Sequence, residues 1–97
     1  MLQNFTATST ANSSVDIIPA QPNELLLLSL YLNGGENGGD VTVTYPNNFT
    51  AGFTIAAEDT IVIDTQVAIP AGGILSFTAD NSGIKAMASA TLSLADL

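Results

Sequence analysis

A chain with neither histidine nor cysteine is without the side chains most often used to activate a nucleophile or hold zinc. The residues that remain able to do chemistry are few. Lys85 is the one cation, so a Ser-Lys dyad would have to be built on it, and nothing around it reads as a nucleophile elbow. Paired carboxylates serve glycoside hydrolysis, and Glu58 and Asp59 are the close pair here. They are adjacent in a turn-like stretch, which points them apart and into water. The stretch Asn33-Gly34-Gly35-Glu36-Asn37-Gly38-Gly39-Asp40 is more suggestive. As a phosphate cradle it fails, because no Lys or Arg follows and no helix opens after it. As a calcium loop it offers oxygen ligands from Asn33, Glu36, Asn37 and Asp40, although their spacing matches neither an EF-hand nor a nonapeptide repeat. The competing reading is a plain, mobile hairpin loop. Sequons at Asn4, Asn12 and Asn48 are what a Thr- and Asn-rich chain contains by chance. No catalytic residue, metal or cofactor is therefore expected, with the 33–40 loop as the one place calcium would bind.

The elements that must position these residues read as strands. DVTVTYP alternates Val41, Val43 and Tyr45 against Thr42 and Thr44, the two-residue period of a half-buried strand. TIVIDTQVAI is rich in β-branched residues, and ILSFTAD sets Leu75, Phe77 and Ala79 against Ile74, Ser76 and Thr78. KAMASATLSL places Ala86, Ala88, Ala90, Leu92 and Leu94 on one face, and its Ser and Thr density favours strand over helix. ELLLLSLYLN is apolar on both faces, which requires either a doubly covered central strand or a strand with one face against another molecule. Its outward leucines, Leu26 and Leu28, are interface candidates on that account. SSVDIIPAQPNE carries Pro19 and Pro22 and is limited to an edge strand followed by a turn.

Turn signals recur at short intervals, as PAQPN, NGGENGGD, PNN, AAED, PAGG and DNSG. They join about seven to eight short strands into a single small antiparallel β-sandwich or flattened barrel, jelly-roll or Ig-like. AAED and PAGG look like one hairpin chemistry used twice. Residues 1–14 read as a flexible N-terminal arm or a short edge strand, and 15–97 as the sandwich. The six aromatics are few and scattered, so most are expected in the core. Phe49 and Phe53, which flank Thr-Ala-Gly, are the candidates for an edge or a contact.

Charge excludes whole classes of partner. Nine carboxylates against one lysine give a formal net charge of -8, with a sequence pI near 4.1. Displacing counterions from nucleic-acid phosphates needs a cationic surface, and anionic membranes need the same. Neither partner is expected. The start MLQNFTATST has no basic or apolar leader character, and the Leu25–Leu28 run is far too short to span a bilayer.

The order of segments resembles that of the small β-sandwich accessory proteins of tailed-bacteriophage virions. It runs from a Pro-containing turn to a long apolar strand closing on Asn-Gly, then a Val/Thr strand and the AAED turn. IPAGG then leads into ILSFTAD, DNSG and a small-residue strand. The resemblance covers Val15 to Leu94. It implies a non-enzymatic virion protein, made in the host cytoplasm: a capsid decoration (cement) protein, or a head, neck or tail accessory. The implied partners are a major capsid protein or another virion protein, and copies of itself, with a trimer favoured. The alternative is a fibre or receptor- and carbohydrate-binding β-sandwich module.

Overall fold

The computed structural model describes residues 1–93. Eight strands follow in order: β1 (Leu2–Thr8), β2 (Ser14–Ile18), β3 (Leu25–Asn33), β4 (Gly39–Thr44), β5 (Thr50–Ile55), β6 (Thr60–Ile69), β7 (Leu75–Ala79) and β8 (Lys85–Leu92). A 3-10 turn at Pro46–Asn48 is the one helical piece among the described residues, and no helix there is long and apolar enough to cross a membrane. The strands form two antiparallel four-stranded sheets. The first has the order β1-β8-β3-β6 and the second β2-β7-β4-β5. Only β4 and β5 are consecutive neighbours in one sheet; every other connection crosses to the opposite sheet. That is the jelly roll, not the Ig-like arrangement.

The crossings correct two expectations. The Gly-rich stretch is not a hairpin loop, because β3 and β4 belong to different sheets. AAED and PAGG likewise carry the chain between sheets, not around hairpins. Turn residues report that the chain reverses, and they are silent about which sheet receives the next strand.

Burial follows the alternation. Val41, Val43, Leu75, Phe77 and Ala79 fill the space between the sheets. So do Ala86, Ala88 and Ala90, each standing beside a buried leucine of β3 (Leu32, Leu30 and Leu27). This pairing of small with large keeps the layer filled without strain. Leu94, expected on the same face, lies outside the described residues. Met1, Leu2 and Val62 are exposed apolar side chains.

The doubly apolar β3 is explained by a β-bulge between Leu27 and Ser29. A bulge shifts side-chain parity by one. Leu25 and Leu27 therefore point inward before it, and Leu30 and Leu32 after it, all four buried. Leu26 and Leu28 remain half-buried on the outer side. A second bulge in β2, between Asp16 and Ile18, lets the consecutive Ile17 and Ile18 both be buried.

Residues 2–8 are the outer strand of the first sheet, paired with β8 along their whole length. The chain just after β1 is anchored as well. Ser9 is the one buried polar residue among those described, 5% exposed. Its hydroxyl donates to the Asn81 carbonyl (2.7 Å) and accepts the Ile84 N–H (2.9 Å), while its own N–H donates to the Ile84 carbonyl at 2.8 Å. A stretch whose composition suits a mobile arm is thus stapled to the β7–β8 turn.

Candidate functional site

The Gly-rich stretch serves packing. Gly38 N–H donates to the Gly34 carbonyl and Gly34 N–H to the Asp59 carbonyl, each at 2.9 Å, and Glu58 N–H to the Gly35 carbonyl at 2.7 Å. A Cβ at Gly34 would collide with the Ala56 carbonyl, and one at Gly35 with the Gly83 carbonyl. The stretch is glycine-rich because three loops share its space. Two of the candidate calcium ligands, Asn33 and Asp40, hold hydrogen bonds from different sheets. Asn33 lies on the first sheet, where its Oδ1 accepts the Gly35 N–H and its Nδ2 donates to Thr60 Oγ1, both at 2.9 Å. Asp40 lies on the second sheet and its Oδ1 accepts the Thr54 hydroxyl at 2.8 Å. Glu36 and Asn37 are exposed. Among the described residues no three carboxylates gather closely enough to hold a metal ion.

The other sequence candidates are also placed. Glu58 and Asp59 are exposed; Glu58 adopts a left-handed backbone (φ 63°), and the Asp59 carboxylate accepts the Thr60 N–H at 3.1 Å. Ser82 and Lys85, a pair passed over in reading the sequence, match the S-x-x-K spacing, which works on a helix because i and i+3 share a face. Here Gly83 turns the chain at φ 84° and Lys85 opens a strand, while the Ser82 hydroxyl accepts the Ala11 N–H at 3.0 Å.

What the structure does assemble is a cleft at one side of the sandwich. β1 and β2 pack beside each other at the opposite side. At this side β5 and β6 are the outer strands of their sheets, and an open apolar cleft of about 440 Å³ lies between them. The β4–β5 hairpin builds its wall. Tyr45 N–H donates to the Phe49 carbonyl at 2.7 Å, and Asn47 and Asn48 absorb the reversal with φ of 69° and 61°. Asparagine tolerates that region better than most residues. The closed turn brings the Tyr45 and Phe49 rings edge to face, centroids 6.0 Å apart. Phe53 adds a third ring from β5, and Ile63 and Val67 line the side supplied by β6. Asn47, Asp64 and Thr65 give it polar edges. Tyr45 is buried, which pushes its phenol above the ordinary value of 10.0. Phe49 is 68% exposed.

Three of the six aromatics therefore meet in one place, against the expectation of a scattered set. Phe49 and Phe53 come together there, whereas Leu26 and Leu28 lie on the outer face of the first sheet. The contribution of Ile63, Asp64 and Val67 was not readable, since it depends on which strands end up at the edges.

No protein-family model matches the chain, and no curated protein matches it by sequence. Among solved structures it is similar to RmlC from Streptococcus suis in complex with dTDP-D-xylose, at 18% identity and TM-score 0.46, covering 97% of this chain and 46% of that one. It is also similar to the structure of infectious bursal disease virus Gx strain, at 12% identity and TM-score 0.35, covering 94% and 32%. The chain thus spans less than half the length of either, and likeness at this level carries nothing about activity.

Proposed function

We propose that this chain is a non-enzymatic structural protein of a virion, a decoration or cement protein on the head of a tailed phage. The observation that carries the reading is the open side of the sandwich, where an aromatic cleft lies between two unpaired strand edges. Such an edge accepts an extended segment of another protein through main-chain hydrogen bonds, while a groove beside it takes the apolar side chains. β5 (Thr50–Ile55) carries no charge and no proline to discourage this. The capsid protein would supply the segment, and Phe49 would be the anchor buried on docking. The ionisable side chains spread over loops and outer faces suit an inert role.

Co-sedimentation with shells assembled from the major capsid protein of the same genome tests the reading. Saturable pelleting with shells is expected, reduced at least tenfold by Phe49→Asp, an exposed position whose change leaves the core alone. A chain that stays in the supernatant over a full titration of shells overturns it. The aromatic cleft also favours a second reading, a receptor- or carbohydrate-binding module of a tail or fibre, because sugar rings stack on aromatic faces. Saturable binding to one glycan class on an array, lost in Phe49→Ala, would move the assignment there.

A further inference from the structure

The two outer faces of the sandwich differ in chemistry. That of the second sheet presents Ser14, Asp16, Thr42, Thr44, Ser76, Thr78 and the exposed residues of β5, so it is hydroxyl-rich and acidic. That of the first sheet is laid out by the strand register in cross-strand rows. One row reads Thr8, Lys85, Asn33, Thr60; the next Thr6, Met87, Tyr31, Val62; the next Asn4, Ser89, Ser29, Asp64. Leu26 follows in the last row, and the β3 bulge turns Leu28 toward the same side. This face therefore has an apolar centre of Leu26, Leu28, Tyr31, Val62 and Met87. Among the described residues its charges are Lys85 and Asp64, which sum to zero in a chain of net charge -8.

We propose that this face is self-complementary and that two copies of the chain associate through it about a two-fold axis over Tyr31. The register supplies the geometry. From Tyr31, Lys85 lies one strand to one side and one row toward Asn33. Asp64 lies one strand to the other side and one row toward Ser29. The two charges are thus symmetric about Tyr31, and a two-fold axis lying in the face sets Lys85 of each copy opposite Asp64 of the other. The same operation stacks Tyr31 on its own counterpart, as an isologous interface requires.

Four strands about 4.8 Å apart and four rows about 6.8 Å apart give a face of roughly 500 Å². A pair buries at most about 1,000 Å², the range of a concentration-dependent contact. Elsewhere two copies of so acidic a chain repel, and a face of zero net charge is where they can approach. This face meets the β5–β6 cleft at Asp64, so Tyr31→Glu and Lys85→Glu report on self-association alone and Phe49→Asp on shell binding alone.

Light scattering behind a sizing column reads the outcome. Two chain masses are expected for the native protein and one for Tyr31→Glu, with cooperative unfolding retained. Lys85→Glu, at an exposed position, should raise the dimer Kd at least tenfold, and Lys85→Glu with Asp64→Lys should restore it. A native mass of one or three chains overturns the proposal. So does a dimer that Tyr31→Glu leaves intact, or a double exchange that fails to restore association.

Discussion

Glycine carries two opposite meanings in this chain, and substitution separates them. Gly34 sits where a side chain would strike the Ala56 carbonyl, so Gly34→Ala should cost about 2–3 kcal/mol in urea unfolding. A Cβ at Gly52 would meet no atom within 4 Å, and the residue stands opposite Thr42 on the outer face of the second sheet. Gly52→Thr should therefore stabilise by about 1 kcal/mol, through lower unfolded-state entropy and a Thr–Thr cross-strand pair. Tyr45 makes stability depend on alkaline pH. Its unfolded phenol loses a proton near the ordinary 10.0, whereas burial holds the folded one protonated to higher pH. The stability of the neutral phenol is full below pH 10 and is lost as pH rises through the folded value. Urea midpoints from about pH 8 to about pH 11 should fall more steeply in the native protein than in Tyr45→Phe.

At the scale of elements, the β3 bulge decides which leucines matter. Leu30→Ala should cost about 2–5 kcal/mol, because the cavity opens in the closed layer between the sheets. Leu26→Ala, on the outer face, should cost less than about half as much, and thermal unfolding of the two variants checks the order. The strands themselves were legible, since alternation in segments such as Val41–Tyr45 and Leu75–Ala79 follows from one face being wet and one dry. The bulge was not, because Leu25–Leu28 looks equally apolar in either register and only pairing with β6 and β8 decides it. Topology was hidden for a similar reason: the turn residues at 56–59 and 70–73 fit a hairpin and a sheet-to-sheet crossing alike. The candidate site was legible as two phenylalanines worth watching. Its other wall was not, because nothing in the residues of β6 says that it pairs with β3 alone and ends the first sheet.

For the whole molecule, acidity is unevenly spread. Glu36, Glu58, Asp59 and Asp80 lie in loops at one end, tied together by the Glu58–Gly35 bond and by Asn81 Nδ2 donating to the Gly38 carbonyl at 2.8 Å. Their mutual repulsion should weaken as salt shortens the Debye length from about 30 Å at 0.01 M to about 3 Å at 1 M. Tm is expected to rise by about 5 °C over that range, and Glu36→Gln with Glu58→Gln should shrink the rise. The position of β8 also has a consequence for how the protein is made. It pairs with both β1 and β3, so residues 85–92 complete a sheet whose other members left the ribosome long before. Until they emerge, the leucines of β3 have no finished layer to enter. The nascent chain must carry that greasy segment unprotected, to be shielded by a chaperone or by speed, and a ribosome stalled after Ala79 would hold a chain unable to fold.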